Sequence, residues 1–353
     1  MHRWNACGSA ALAAIAATAS VWMMIGPLTA ETSAPQTSAP QTSAPQTSAP
    51  QTSAAKIWPT KRVQVVVPFA PGSATDLLPR TVFEHVAASV GQAIIIENRP
   101  GGGGAIGVGA VAKADPDGHT ILVHSNALVT APAIQPMPYD PVQDFAGITP
   151  LGNVPLVLVV PPDKNIKTVK ELVAAAKAKP GSINYAAAGI GTPPHLTAER
   201  FRLAAQFEGQ LVPFKGAPEA LTEVIAGRVD FYFCPLPVAM PFIREGKVLA
   251  LAVSSSKRTS ALPEVPTTLE AGFPDSDFDF WVGMVVPKKT PRDIVARIHE
   301  ETVKGLRDPS VKEKLSKLGV EEMIMQPDEF DARIAREAPI AVTLARAAGI
   351  AAK

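Results

Sequence analysis

The stretch of sequence that decides the fold is RVQVVVPFAPGSATD, which runs from Arg62 to Asp76. Its β-branched part, Val63 to Val67, is typical of a buried strand. A turn containing Gly72 follows. Apolar residues then recur every four positions, as on one face of a helix, at Leu78, Val82, Val86 and Val90. The stretch therefore predicts a strand, a tight turn and a helix in succession.

The same alternation continues along the chain. Apolar, β-branched runs predict further strands at 93–97, 120–124, 156–160, 183–186, 211–214, 229–233, 248–253 and 281–286. Helix-start signals lie between many of them, including the capping box that begins at Thr168 and the Thr192-Pro193 pair. This pattern predicts an α/β fold with parallel sheets covered on both faces. Because 353 residues exceed what one hydrophobic core usually serves, we expect two lobes.

Composition excludes several classes of function. The chain has 33 Lys and Arg against 32 Asp and Glu, so it carries no basic surface for nucleic acid or an anionic membrane. Its two cysteines cannot build a disulfide scaffold or a four-ligand zinc site. No His-x-x-x-His or Cys-x-x-Cys pair and no G-x-S-x-G elbow occurs. We predict no metal, no cofactor and no catalytic residues.

The first 55 residues are predicted to lie outside the fold. Residues 1–30 have the layout of a secretory signal peptide: a short basic start, an apolar run, then Gly26-Pro27 and the small residue Ala30. The alternative is an uncleaved membrane anchor. Residues 31–55 contain TSAPQ four times and predict a disordered tether, or a repeat without function. Export predicts a periplasmic protein.

The turn from Pro71 to Asp76 is the first candidate site. Where a strand leads into a helix, free backbone N–H groups and the positive end of the helix dipole attract anions without any Lys or Arg. Gly72 permits close approach, and the hydroxyls of Ser73 and Thr75 add donors. The alternative is a plain capped helix with Asp76 in its first turn.

Two other loops are weaker candidates. Gly102 to Gly107 fits G-x-G-x-x-G, but no acidic residue follows at the distance a dinucleotide site requires, so we expect only a loop that passes close to backbone or ligand. Ala187 to Thr192 is a small-residue loop before a helix whose first turn contains His195, which packs or faces the loop. Cys234 lies between apolar neighbours and is expected to be buried.

Taken together, these segments resemble the periplasmic solute receptors of tripartite tricarboxylate transporters, the Bug-type family. The likeness runs from about Trp58 to Ala345 and rests on ordered motifs such as VVVPFAPGSATDLLPR, IIENRPGGGGAIG, NYAAAGIGTPPHLTAE, VPFKGAPEAL and FWVGMVVPKKTP. The resemblance implies a periplasmic-binding-protein-like α/β fold. Two lobes, each with a mainly parallel sheet flanked by helices, would be joined by two crossing strands near 157–160 and 281–286. Lobe 1 would comprise residues 56–158 and 281–353, and lobe 2 residues 159–280.

The resemblance also implies a small organic carboxylate, held mainly by backbone N–H groups from loops of both lobes. The candidate ligand-binding residues are Phe69, Pro71, Gly72, Ser73, Ala74, Thr75, Asp76, Ser125, Asn126, Ala187, Ala188, Gly189, Gly191, Thr192, His195, Phe214, Lys215, Gly216 and Cys234. The partners would be that ligand and the membrane permease subunits of the transporter, with the receptor a monomer and with no nucleic acid.

Departures from the family pattern bear on the ligand. The family often has two glycines at Gly72-Ser73, Gly-Ser-Ser where this chain has Ala186, Ala187 and Ala188, and Asp at Cys234. Because a polar ligand group left unpaired against methyl groups costs about 1–3 kcal/mol, we expect a monocarboxylate, or an acid with an apolar or aromatic body, rather than citrate. Two alternative functions remain open at this stage: a binding protein that acts on a signalling partner, and a hydrolase that uses His195.

Overall fold

The computed structural model describes residues 58–351, so the predicted signal peptide and tether lie outside the described residues. The described residues form two five-stranded sheets with helices packed on them. The strands are β1 Val63–Val67, β2 Ile94–Asn98, β3 Thr120–Ser125, β4 Phe145–Asn153, β5 Leu156–Val160, β6 Ile183–Ala187, β7 Gly209–Pro213, β8 Phe231–Pro235, β9 Leu249–Val253 and β10 Trp281–Pro287. The predicted α/β class is confirmed.

The helices follow the strands along the chain. They are α1 Ala74–Val90, α2 Ala105–Ala112, α3 Ala127–Thr130, α4 Val169–Ala178, α5 Pro193–Ala205, α6 Ala217–Ile225, α7 Leu236–Arg244, α8 Arg292–Arg307, α9 Pro309–Lys317 and α10 Pro327–Ala347. Within residues 58–351, no helix is both long enough and apolar enough to cross a membrane.

Both sheets have the same arrangement. The first has the order β2-β1-β3-β10-β4, and the second has the order β7-β6-β8-β5-β9. In the first, β1 pairs in parallel with β2 and β3, whereas β10 runs antiparallel to β3 and β4. In the second, β6 pairs in parallel with β7 and β8, whereas β5 runs antiparallel to β8 and β9. Four strands of each sheet therefore run in one direction and one strand, β10 or β5, runs against them, so the prediction of mainly parallel sheets is confirmed.

The antiparallel strands are those that arrive from the other sheet. The chain leaves the first sheet after β4 and enters the second as β5, with only Val154 and Pro155 between them. It returns through residues 254–280 and re-enters the first sheet as β10. A strand that enters from the partner sheet runs against the parallel βαβ strands, which explains the mixed pairing. The predicted lobe boundary at residue 158 lies inside β5; the lobe limits themselves stay a prediction.

Each sheet has its own packed helices. The C-terminal helices belong with the first sheet, where α8 packs on α1, and α10 packs on β4 and α3. The second sheet is backed by an aromatic cluster in which the Phe201 ring contacts Phe207, Phe231, Phe233 and Phe273 at centroid distances of 5.3–6.2 Å. These packed layers give two lobes, and one apolar cluster runs through both, from Leu78 in the first to Phe231 in the second.

The loops that matter for function lie where strands lead into helices. β1 leads into α1 and β3 into α3 in the first lobe, while β6 leads into α5, β7 into α6 and β8 into α7 in the second. In open α/β sheets, ligands bind beyond the carboxyl ends of the strands, where such helices begin. The fold therefore brings several helix N-termini from two lobes toward one cleft.

Candidate functional site

The N-terminus of α1 presents free backbone donors. Ser73 is the N-cap residue with extended backbone, and its carbonyl accepts the N–H groups of Asp76 and Leu77 at 2.9 Å. The N–H groups of Ala74 and Thr75 have no acceptor among the described residues. The Ser73 and Thr75 hydroxyls lie 3.0 Å apart and are buried. First-turn N–H groups without partners, at the positive end of a 17-residue helix, can stabilise an anion.

The Asp76 carboxylate, unlike the free N–H groups of Ala74 and Thr75, already has hydrogen-bond partners within the first lobe. It accepts the Gly72 N–H at 2.9 Å, the Arg80 guanidinium at 3.0 Å and the Asn98 amide at 2.9 Å. Burial acts to raise the pKa of the Asp76 carboxyl, but the hydrogen bonds from Arg80, Gly72 and Asn98 outweigh it and hold the pKa below the usual value. Asp76 therefore fixes the geometry of the Gly72 turn as an ionised group.

A cavity, here called the proximal cavity, lies between this helix end and the second lobe. From the first lobe and the returning segment it is lined by Phe69, Ser73, Ala74, Thr75, Ser125 and Phe280. From the second lobe it is lined by Ala188, Thr192, Pro193, Pro194, Ala217 and Pro235. Its volume is about 30 Å³, and none of these side chains carries a formal charge. An anion here would depend on backbone dipoles for its stabilisation.

The two lobes contribute different chemistry to this cavity. In the second lobe, α5 begins with Pro193 and Pro194, and α6 and α7 each have a proline at their second position. Proline has no N–H, so these helix ends offer fewer donors than the end of α1. The first lobe thus supplies N–H donors and hydroxyls, while the second supplies mainly methyl and pyrrolidine surface.

His195 supports the loop before α5. Its Nδ1 accepts the Gly191 N–H at 3.2 Å, and the side chain is buried beside Glu199. Burial lowers the pKa of His195, and the nearby Glu199 carboxylate opposes that effect. The Thr192 hydroxyl donates to the Gly189 carbonyl at 2.7 Å in the same loop. His195 therefore orders the loop as a neutral acceptor in this structure.

A second cavity, here called the distal cavity, adjoins the first. Its volume is about 350 Å³, and it shares Phe69 and Ala188 with the proximal cavity. The predicted residues Gly189, Phe214 and Lys215 line it on the second-lobe side. The glycine loop 101–104 lines it on the first-lobe side, where a Cβ on Gly103 would lie 3.1 Å from the Ile190 carbonyl oxygen. This agrees with the expectation that the glycine loop passes close to neighbouring backbone.

Hydrogen bonds hold the loop after β3 to itself and to the segment that returns to β10. Asn126 Nδ2 donates to the Asp279 carbonyl at 2.8 Å, and the Ser125 hydroxyl accepts the Ala127 N–H at 3.2 Å. His124 accepts the Ser125 N–H at Nδ1, and burial lowers the pKa of this imidazole to about 3. Ser125 lines the proximal cavity, whereas Asn126 lines neither cavity.

The other predicted residues lie at or behind the walls. Pro71 and Gly72 form the turn, Gly216 lies against Ala70 of the first lobe, and Ala187 and Cys234 are fully buried behind the cavities. Burial raises the pKa of the Cys234 thiol well above its usual value, in keeping with its expected burial. Among residues 58–351 there is no group of three or more His, Cys, Asp or Glu placed to hold a metal ion.

Sequence reasoning did not find several wall residues. They are Pro193, Pro194, Ala217, Pro235 and Phe280. The first four lie one or two positions after the predicted site residues Thr192, Gly216 and Cys234. Extending each predicted helix start by two residues would have included them. Phe280 precedes β10 after a long loop, and nothing in its local sequence marks it.

Comparison with known proteins places this site in a family. The sequence model described as "Tripartite tricarboxylate transporter family receptor" matches residues 78–344. The chain belongs to this receptor family. A Pseudomonas relative encoded in the tcbD–tcbE intergenic region is 38% identical over 265 residues, which are 74% of this chain and 79% of that protein.

Solved structures support the receptor assignment. An R. palustris protein solved with adipate has a TM-score of 0.81 and 31% identity, covering 83% of this receptor and 99% of that chain. The periplasmic binding protein BugD has a TM-score of 0.79 and 32% identity, covering 84% and 100% of the two chains. The predicted Bug-type resemblance and two-lobe binding-protein fold are confirmed, and the chain is a member of a family of solute-binding receptors.

Proposed function

We propose that this receptor captures a small organic carboxylate between its two lobes in the periplasm and delivers it to the membrane permease subunits of a tripartite tricarboxylate-type transporter. The observation that carries the proposal is the pair of free N–H groups on Ala74 and Thr75, which face a cavity walled by both lobes. A carboxylate there gains charge-assisted hydrogen bonds without a Lys or Arg partner.

The apolar half of the cavity favours an acid with an apolar body. Pro193, Pro194, Ala188, Ala217 and Pro235 offer no side-chain donor or acceptor to a second polar group. A hydroxyl or carboxylate left unpaired there costs about 1–3 kcal/mol. The adipate in the R. palustris neighbour is a linear dicarboxylate with a methylene body; the body fits this preference, and its second carboxylate would need a polar partner outside the apolar wall. Citrate, with three carboxylates and a hydroxyl on a short body, fits it poorly.

Delivery of the ligand to the permease depends on closure of the two lobes around it. A ligand that contacts both lobes stabilises the closed form by the difference in its affinity for the closed and open forms. The permease would recognise that closed form, and no proton transfer or covalent step is needed. The residues around the cavity accordingly position a ligand and contribute no reacting group.

The test is a panel of carboxylic acids measured against the purified chain by thermal shift and then by calorimetry. A specific ligand at 100 times its dissociation constant adds about 2.7 kcal/mol to the free energy of unfolding. We expect acids with apolar bodies to give the largest shifts. Tightest binding by citrate or another tricarboxylate would contradict the ligand class, and no response to any acid would contradict the function.

A further inference from the structure

The proximal cavity is too small for a whole ligand. A cavity needs about 10–15 Å³ of the same kind of volume to hold one water molecule. The proximal cavity has about 30 Å³, which suits a group of two or three heavy atoms such as a carboxylate. In the structure described here, the rest of any ligand must therefore lie elsewhere.

The distal cavity offers that space next to it. It is about 350 Å³ in volume and lies against the same two residues, Phe69 and Ala188, that wall the proximal cavity. Between the two cavities, Ala188 presents only a methyl group. Its neighbours Gly189 and Ile190 line the distal cavity on the second-lobe side. A ligand chain that extends from the α1 N-terminus past Ala188 would reach this space, because Ala188 and Phe69 border both cavities.

The surface of the distal cavity is mostly apolar. Pro68, Phe69, Ile190, Pro213 and Phe214 line it together with glycine backbone and the amide side chain of Gln135. Its charged side chains are Lys215 and Glu219, both exposed, and Glu219 accepts the Lys215 backbone N–H at 3.0 Å. Such a lining suits a hydrocarbon chain or ring, with the two charges at the solvent side.

We infer that the ligand is an elongated acid whose carboxylate lies in the proximal cavity and whose apolar chain passes Phe69 and Ala188 into the distal cavity. This inference rests on the proposed carboxylate function and adds a length requirement to it. The receptor would discriminate acids by chain length, and Ile190, which lines only the distal cavity, would set part of that preference.

The experiment measures the affinity of the full chain for linear saturated monocarboxylates from butyrate to octanoate by calorimetry. Each methylene that enters an apolar site strengthens binding by about fourfold, so affinity rises with length in the unmodified receptor. Ile190→Trp adds bulk to the distal cavity and lowers the octanoate-to-butyrate affinity ratio. Leu203→Trp, at another exposed apolar position in the second lobe, is the matched control and keeps the wild-type ratio.

The outcomes separate the two proposals. Affinity that does not rise with length, or an unchanged ratio in Ile190→Trp, overturns the length inference. If no linear acid binds but another acid of the wider panel does, the length inference is wrong and the carboxylate function stands. If no acid of either set binds, the proposed function itself is wrong.

Discussion

Thr130 donates a hydrogen bond from its hydroxyl to the Gly191 carbonyl at 2.6 Å, and this bond joins the two lobes. Thr130 ends α3 in the first lobe, and Gly191 lies in the loop before α5 in the second. The contact is close: a Cβ on Gly191 would lie 2.7 Å from the Ala131 Cα. The loop that walls the proximal cavity therefore rests directly on the other lobe, and the bond would be lost if the two lobes moved apart.

Replacing Thr130 by Val should weaken binding of any ligand that requires closure. The change keeps the shape of the side chain and removes one hydrogen bond, worth about 1 kcal/mol, so affinity should fall roughly fivefold. The measurement is calorimetry with the best acid of the panel. Thr197→Val is the matched control, because Thr197 is also buried but its hydroxyl has no hydrogen-bond partner among the described residues. Equal effects of the two substitutions would show that the Thr130 bond plays no part in closure.

A bulky residue at Gly72 should abolish binding without unfolding the protein. Gly72 has φ of 79° and its Cβ position lies 3.5 Å from Pro218 Cγ of the second lobe, so Gly72→Leu obstructs closure. Gly91→Leu at the other end of α1 introduces similar backbone strain, with φ of 65°, but has open space around its Cβ. Both variants should lose similar stability, about 1–2 kcal/mol. Unchanged affinity in Gly72→Leu would refute the assigned site.

Asp76→Asn should destabilise the fold rather than act on the ligand directly. It removes the charge that Arg80, Gly72 and Asn98 all satisfy, and hydrogen bonds to charged groups contribute about 1.5–3 kcal/mol. Because the native pKa of Asp76 is lowered, its contribution is present above the unfolded pKa and is lost as pH falls through the native pKa.

Chemical denaturation between pH 7 and pH 3 measures both effects of Asp76→Asn. The variant should be less stable at neutral pH and should lose less stability on acidification. Glu84→Gln, which removes an exposed ion pair with Lys314, is the control and should change stability little. A large loss of affinity at unchanged stability would mean that the carboxylate acts on the ligand.

Much of this site was predictable because its key feature is local. The strand, turn and helix from Val63 to Val90 are determined by β-branched residues, one turn glycine and a four-residue apolar repeat, and the structure has β1 and α1 there. The free N–H groups of Ala74 and Thr75, where we propose that the carboxylate binds, follow from that local geometry alone. The role of Asp76 could not be foreseen, since Asn98, one of its partners, lies on the next strand.

The parts that sequence reasoning missed depend on which loops meet. β4 from Phe145 to Asn153 was not predicted, because glycine and proline interrupt its apolar pattern. The bond from Thr130 to Gly191 and the wall at Phe280 arise only when distant segments pack together.

His195 should make stability depend on pH below neutrality. Its native pKa is lowered by burial, so the unfolded chain takes up the proton first, near pH 6.5. The free energy of unfolding is therefore full above that pH and declines as pH falls toward the native pKa. His195→Asn keeps an acceptor for the Gly191 N–H but does not titrate. Denaturation at pH 7.5, 6.5 and 5.5 should show a smaller decline in the variant; parallel declines would contradict this role.

Ala74→Pro removes one of the two N–H groups that we assign to the carboxylate. Proline suits this first helical position, and the preceding Ser73 has φ of −70° and ψ of 161°, which a following proline requires. The helix should therefore remain intact, while affinity for the best acid falls at least tenfold, because a charge-assisted hydrogen bond is lost and the ring narrows the proximal cavity.

The matched control for Ala74→Pro is Arg292→Pro, at the first position of α8. Its cap residue Pro291 has φ of −54° and ψ of 139°, which also suits a following proline, and Arg292 pairs with the exposed Asp328 and the partly buried Asp331 and lines neither cavity. Both variants should unfold within about 1 kcal/mol of the wild type, because proline is tolerated in the first turn and exposed ion pairs contribute about 0–1 kcal/mol. Only Ala74→Pro should lose affinity. If a folded Ala74→Pro variant binds the acid as tightly as the wild type, the Ala74 N–H does not bind the carboxylate, and the carboxylate lies elsewhere.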